Sequence, residues 1–579
     1  MLQGLKFSLA GQKFNFAMSG RQSLWPTVVS RRCRTGGGWR HGGAALLIAA
    51  AVTYGGSTVW GNSNPNALFY DQIGLPQLEQ VAPNINGSGV SVATIEAMVG
   101  PGEYEVNPTS SSVNQSPSKF TFMDESGTVS SSYDSADYSS HANLVATVFY
   151  GNGSYSDGSH SGVAPGVSQI YNLEADGYIN YYIFSSQAAS TPAGTPAAVS
   201  PLIVNQSYID PGVSTSYFDS NASTYNTLYV SSIGDGTTTG SSYINAPSTM
   251  YNGLAVAAYS GTETNGVFSP TSGASAAWVG PTTDGRSKPD ITAPGPGPYT
   301  SFTTPMVSGV AALIAQAGMD GFGGTGTQPD ATDIRTIKAL LLNGASKPQG
   351  WTNNYTVTVS GGVNTETYLA PTATTQTPLD PRYGSGVVNA YNSYENLVAG
   401  EHGYSAETSQ AQAPFSGPTF SFDGSYTTPE STLEGWNKAS IASSATTDGV
   451  DHYIFDLGGS SKTTYTLTAT LVWNLNTGAT GINNLDLALV NAAGTIVGLS
   501  DSSIDNVQQL YLGGLSAGLY DLQVLKVGST SEASANDTYA LAYNWVPVPE
   551  PSAGMLLVLG AGLMLLTPAT RREKGEGRE

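Results

Sequence analysis

The sequence predicts an α/β domain, built as a parallel sheet with helices on both faces, followed by an all-β sandwich domain. Three observations carry this reading. Through residues 65–400, short unbroken apolar runs alternate with helical patterns, as strands covered on both faces do. From residue 437 to 546, helical spacing gives way to short strand patterns separated by turns. The 579 residues also leave room for two cores.

Taken in order, Gly89 to Ile95 is the first β-branched run, ending at Glu96. Ser139-Ser140-His141-Ala142 then reads as a serine-capped helix start, with His141 in its first turn. Leu202 to Asn205, Thr227 to Val230 and Leu254 to Ala258 repeat the strand pattern. Thr300 to Ile314 opens an Ala-rich helix: Val307, Val310, Ala311 and Ile314 fall at the spacing of one buried face. Pro305 sits near its start, where a missing N–H costs least. Arg335 to Leu342 is a further helix, and residues 401–436 read as a Gly/Ser/Thr/Pro-rich linker. Beyond it, His452 to Phe455, Tyr465 to Trp473, Leu485 to Val490, Gln509 to Leu512, Tyr520 to Val527 and Tyr539 to Trp545 are strands.

Composition narrows the function. Only 11% of residues are charged, against roughly 25% in an average domain, which suits an exported protein. The net charge of −21 argues against a nucleic-acid partner, since little would neutralise phosphates. The single cysteine, Cys33, cannot form an internal disulfide, so stability rests on burial and β-pairing.

Both termini read as addresses. Arg31, Arg32, Arg34 and Arg40 precede the apolar run Gly43 to Val52, giving a signal peptide within residues 1–61. Residues 547–579 hold Pro549-Glu550-Pro551, the apolar run Ala553 to Leu566 and then Arg571-Arg572. That run is shorter than the ~20 residues of a full membrane span, and the arginines would stay cytoplasmic. The order of motif, span and basic stop resembles the PEP-CTERM sorting tail of Gram-negative bacteria. The resemblance implies an exosortase-type partner at Pro549-Glu550-Pro551, a transient inner-membrane anchor, and export to the envelope or extracellular matrix. An ordinary C-terminal anchor is the alternative.

The chemistry centres on Ser301. A serine in the first turn of a helix feels the positive end of the helix dipole, which favours a developing anion. Taken alone, it is equally a capping serine on a core helix. Its surroundings, Lys288-Pro289-Asp290-Ile291-Thr292-Ala293-Pro294-Gly295 and Thr300-Ser301-Phe302-Thr303-Thr304-Pro305-Met306-Val307-Ser308-Gly309, resemble the nucleophile region of subtilisin-like serine peptidases. Ser139 to Val148 resembles that family's histidine helix, and Ser161-Gly162-Val163-Ala164-Pro165-Gly166 the turn after it. Leu379 to Ala390 resembles the segment that closes the domain. The resemblance covers residues 65–400 and implies a subtilisin-like fold, a protein or peptide substrate and an acyl-enzyme route.

It also implies roles, residue by residue. Ser301 is the nucleophile and His141 the general base, where the family has its histidine. Glu96 stands where the family has aspartate; Asp124, Asp134 and Asp137 are the other acids near His141 in sequence. Asp235 takes the place of the asparagine that donates to the oxyanion. Ionised, an aspartate only accepts, so two readings stand: a protonated donor, implying an acidic activity optimum, or a structural turn residue. Asn205 and Ser207 match the substrate-pairing strand, with Ile209 where a glycine is usual. Tyr299 replaces the glycine two residues before the nucleophile. No cofactor is implied; Asp486, Asp501 and Asp505 are the place a calcium ion would occupy if one bound. The leading expectation is an exported serine endopeptidase with a Glu/His/Ser triad. Its alternatives are a catalytically silent envelope protein of the same fold and, as a minor one, an esterase.

Overall fold

The structure, a computed structural model, describes Asn64 and residues 66–549 apart from 185–200, 236–243, 265–266, 271–279, 283, 296–298, 325–327, 354–355, 359–373, 377, 412–420, 423–431, 445, 460–462, 477–480 and 527–535. The leader, the sorting segment beyond Pro549 and the Pro296 to Pro298 run lie outside the described residues.

The first half is built on parallel strands β1 (Ser91–Glu96), β2 (Phe120–Met123), β3 (Gln169–Glu174), β4 (Ile203–Gln206), β5 (Leu228–Ser232), β6 (Leu254–Thr264) and β7 (Ile291–Gly295). They lie in the order β2-β3-β1-β4-β5-β6-β7, every neighbouring pair parallel. Short antiparallel strands, Val129–Ser130 and Val267–Pro270, pair with β2 and β6. Val92, Ala93 and Ile95 of β1 are all fully buried, which explains why this strand reads as a continuous apolar run.

Helices α1 (Ser140–Tyr150), α2 (Thr215–Tyr225), α3 (Thr300–Met319), α4 (Ile334–Gly344) and α5 (Ala390–Val398) belong to the same half. Helix α3 is long and apolar enough to cross a membrane, but it is the core helix. Met306, Val307, Val310, Leu313 and Ile314 are at most 1% exposed; each large side chain so buried contributes about 1.5–3 kcal/mol. Gly309 lets it pack closely: a Cβ there would lie 2.5 Å from Val163 Cβ, in the turn after α1.

The second half pairs two antiparallel sheets. Their strands are β8 (Ala406–Ala411), β9 (Glu434–Ala442), β10 (Thr447–Leu457), β11 (Thr463–Trp473), β12 (Leu485–Asn491), β13 (Ile496–Ser500), β14 (Val507–Ser516), β15 (Gly518–Lys526) and β16 (Asn536–Pro549). One sheet runs β8-β10-β15-β12-β13 and the other β9-β16-β11-β14. Tyr453 and Phe455 of the first share one apolar cluster with Leu467, Tyr543 and Trp545 of the second.

Three boundaries differ from the sequence reading. The stretch 401–436 is not only a linker, because β8 pairs with β10 and Glu434 to Trp436 open β9. Low hydrophobicity hid β8, an edge strand held by main-chain pairing. Pro547 to Pro549, the first residues of the expected sorting segment, also continue β16, whose end pairs with Thr463 to Tyr465.

The two halves are not separate bodies. Trp436 is 1% exposed, donates from Nε1 to the Leu397 carbonyl at 3.0 Å, and belongs to the core of the first half. Buried polar bonds cross the same boundary. Asn252 takes the Leu475 N–H on its Oδ1 at 2.7 Å and donates to the Leu475 carbonyl at 2.9 Å. Asp505 Oδ1 accepts from Ser287 N at 2.7 Å, and its other oxygen accepts from Ser502 Oγ at 2.6 Å. Asp505 is thus engaged at the boundary, and Asp486, Asp501 and Asp505 form no metal-binding group among the described residues.

Beside Ser287 lies a buried ionic node. Asp290 accepts from Lys288 Nζ at 2.5 Å and from Ala255 N at 2.7 Å, with Lys338 Nζ 3.3 Å away. Burial pulls the Lys288 ammonium down to about 8 despite the carboxylate beside it. Burial also pushes Asp290 up, but the two lysines outweigh that and hold its carboxyl below the ordinary range. Removing one member of such a group strands the others without compensation. Asp290→Ala is therefore expected to destabilise the protein by about 3–5 kcal/mol, measured by denaturant unfolding; a loss under about 1 kcal/mol would show the node to be dispensable.

Candidate active site

The parallel register brings the ends of β1, β4 and β5 to one edge, and the candidate residues cluster there. Glu96, the last residue of β1, is 1% exposed. Opposite it, Ser139 caps α1 by accepting from Ala142 N at 3.2 Å, and its own N–H donates to the Glu105 carbonyl at 2.9 Å. This fixes the first turn of α1 and brings His141 Nδ1 to 2.8 Å from Glu96 Oε2. The extra methylene of glutamate is absorbed within that pair. With the shared proton on Nδ1, the imidazole keeps an open lone pair on Nε2, as a general base requires.

Burial would lower the pKa of His141. The hydrogen bond and charge of Glu96, and then the charge of Asp235, outweigh it and raise the value above 6.5. Glu96 Oε1 is buried without a hydrogen-bond partner among the described residues. Of the other acids near His141 in sequence, Asp124 accepts from the N–H groups of Ser126 and Thr128, and Asp134 from that of Ala136. Neither bonds the imidazole, nor does Asp137.

Ser301 is the second residue of α3 and is half-buried. Its Oγ donates to the Ser207 carbonyl at 3.2 Å, and Ser207 Oγ donates back to the Ser301 carbonyl at 3.0 Å. The second bond follows from Pro305. That residue lies inside α3 rather than at its first position and has no N–H for the carbonyl four residues earlier. The orphaned carbonyl is that of Ser301, and Ser207 satisfies it. Asn205 Nδ2 in turn donates to Ser207 Oγ at 3.0 Å, and Asn205 Oδ1 accepts from Ser308 Oγ at 3.0 Å.

The side chains of Asn205 and Ser207, the residues matched to the substrate-pairing strand, are 0% and 5% exposed and turned onto α3. Any pairing of substrate along this strand would use its main chain, since the side chains serve the nucleophile turn. The signal that could have revealed this is the four-residue interval from Ser301 to Pro305.

No hydrogen bond joins Ser301 Oγ to His141 among the described residues; the two are linked through Phe302, whose ring centroid lies 6.1 Å from that of His141. Asp235 is exposed, and its Oδ1 accepts from Thr300 N at 2.7 Å and Thr300 Oγ1 at 2.9 Å. Tyr299, at the N-cap position, makes no side-chain cap bond. Asp235 supplies that cap from another loop, where a negative charge is favoured by the helix dipole. Of its two readings the geometry favours a structural acceptor. The electrostatics also run against an acidic optimum, because His141 must be neutral to act as a base.

The profile of the Subtilase family matches residues 87–386, more than half of the chain. The chain belongs to the subtilase family, whose members are serine peptidases. No curated protein matches it. Among solved structures, the prenylagaramide maturation protease PagA is similar at 18% identity over 56% of this chain and 99% of that one, with a TM-score of 0.33. The self-cleaved protease domain of PatA is similar at 19% identity over 55% and 100%, also with a TM-score of 0.33. Neither superposition adds to the family assignment.

One expectation follows for pH. Any activity that uses His141 as a base should rise with pH through a midpoint above 6.5, because its raised pKa keeps the ring protonated at lower pH. Asp235→Asn removes one charge that raises that pKa and should move the midpoint down. Initial rates against casein across pH 4 to 9 read both; a midpoint that Asp235→Asn moves upward would contradict this electrostatic account.

Proposed function

We propose that this subtilase is an exported serine endopeptidase that hydrolyses peptide bonds through an acyl-enzyme. The observation that carries the proposal is the 2.8 Å bond between His141 Nδ1 and Glu96, at the strand edge where α3 presents Ser301. In the working state Ser301 Oγ leaves the Ser207 carbonyl and turns to His141 Nε2. His141 takes its proton as Oγ attacks the scissile carbonyl, then gives it to the departing amine. Glu96 holds the imidazole and stabilises the imidazolium. On this reading the backbone N–H of Ser301 donates to the developing oxyanion.

The second donor is where this chain is weakest. Asp235 fills the asparagine position, and one missing donor costs about 100- to 1000-fold in rate. Asp235→Asn can keep the acceptor bond to Thr300 through Oδ1 and place an amide on the other branch. It is expected to raise kcat at pH 8 by at least about 10-fold; an unchanged or lower kcat would remove Asp235 from the oxyanion site.

Export rests on the N-terminal basic and apolar run, and envelope or matrix placement through an exosortase-type enzyme rests on Pro549-Glu550-Pro551 and the apolar run after it. A second reading, a catalytically silent envelope protein, is favoured by the bond of Ser301 Oγ to the Ser207 carbonyl. Labelling with a fluorophosphonate at pH 8 separates the two. The peptidase reading expects labelling that Ser301→Ala abolishes and that Glu96→Gln slows by about 100-fold or more. An unlabelled, folded wild type would establish the silent scaffold.

A further inference from the structure

Tyr299 stands two residues before the nucleophile and is 53% exposed, an unusual setting for so large a ring beside a catalytic serine. Its backbone is extended, with φ of −83° and ψ of 96°, so the position does not demand an aromatic residue. Among the described residues its hydroxyl makes no hydrogen bond. What it does is stack: its ring meets Phe302 edge-to-face at 6.3 Å, and Phe302 in turn meets the imidazole of His141 at 6.1 Å. Leu144, one turn along α1 from His141, is 51% exposed.

We infer that the Tyr299–Phe302 pair is a specificity-determining surface that selects a bulky apolar side chain on the residue just after the scissile bond. The inference rests on the peptidase reading and adds to it the side of the substrate that is recognised. Its argument is about proton transfer. The imidazole that takes the serine proton must deliver it to the departing amine, so that nitrogen comes within hydrogen-bond reach of His141. The side chain of the residue that carries the amine is attached one carbon away. Phe302, packed against the imidazole, therefore lies where that side chain can reach it, and Tyr299 extends the same surface through its contact with Phe302.

The surface is apolar and already ordered by its own edge-to-face contact, so little conformational entropy is lost when a substrate covers it. An apolar side chain laid on Tyr299 removes both surfaces from water. Glycine at the same place gains nothing.

Two internally quenched peptides that differ only after the scissile bond, leucine in one and glycine in the other, test this on the full chain. The wild type is expected to favour leucine by about 10-fold in kcat/KM, the order of discrimination that one apolar contact gives. Tyr299→Ala should bring the ratio close to one, and Tyr299→Phe should keep it. A wild type that cleaves both peptides equally, or a Tyr299→Ala variant that keeps the wild-type ratio, overturns the inference while leaving the peptidase reading intact. A wild type that cleaves neither peptide and takes no fluorophosphonate at Ser301 removes the peptidase reading, and this inference with it.

Discussion

The structure depends on one geometric constraint: parallel strands end together. Strands β1, β4 and β5 run the same way in adjacent register, so Glu96, Ser207 and Asp235 arrive at one edge although more than a hundred residues separate the first from the second. Helix α3 brings Ser301 to that edge because its apolar face is buried in the core. The hydrogen bond between His141 and Glu96 is then a local consequence, set by where β1 stops and where Ser139 caps α1.

The same constraint explains how a proline inside α3 is tolerated beside the nucleophile. Its missing N–H leaves the Ser301 carbonyl without its helical partner, and the end of β4 supplies Ser207 in compensation. Asp235 answers the corresponding need at the helix start by capping Thr300. Both residues stabilise the turn, and the Ser207 carbonyl holds the serine hydroxyl in its resting orientation. Farther from the edge, Asp290 and Asp505 tie β7 and the second half into one polar network, so the β-rich half is part of the scaffold under α4 and α5.

Much of this was legible in the sequence, because unbroken apolar runs and helical spacing report burial directly. The runs around Val92, Val204, Val230 and Val256 are all strands of the parallel sheet, and Arg335 to Leu342 falls inside α4. The grouping of Glu96 with His141 came from motif order, since nothing local in Ser91 to Glu96 names its partner. Three features were not legible. Strand β8 is polar and gains its place through pairing with β10. The bond from Ser207 Oγ to the Ser301 carbonyl answers the N–H missing at Pro305, and the strand motif around Asn205 carries no sign of it. The cap from Asp235 spans 65 residues of sequence, and spacing carries no trace of such a contact.

The central claim is that Ser301 Oγ can leave the Ser207 carbonyl and share a proton with His141 while Glu96 steadies the ring. The most direct measurement is a crystal structure of the protein exposed to a peptide boronic acid, which forms a tetrahedral adduct with an activated serine. The expected result is a bond from Ser301 Oγ to boron, with His141 Nε2 within about 3 Å of the adduct and Nδ1 still on Glu96. A well-ordered structure with no adduct, and Ser301 still directed at the Ser207 carbonyl, would contradict the account.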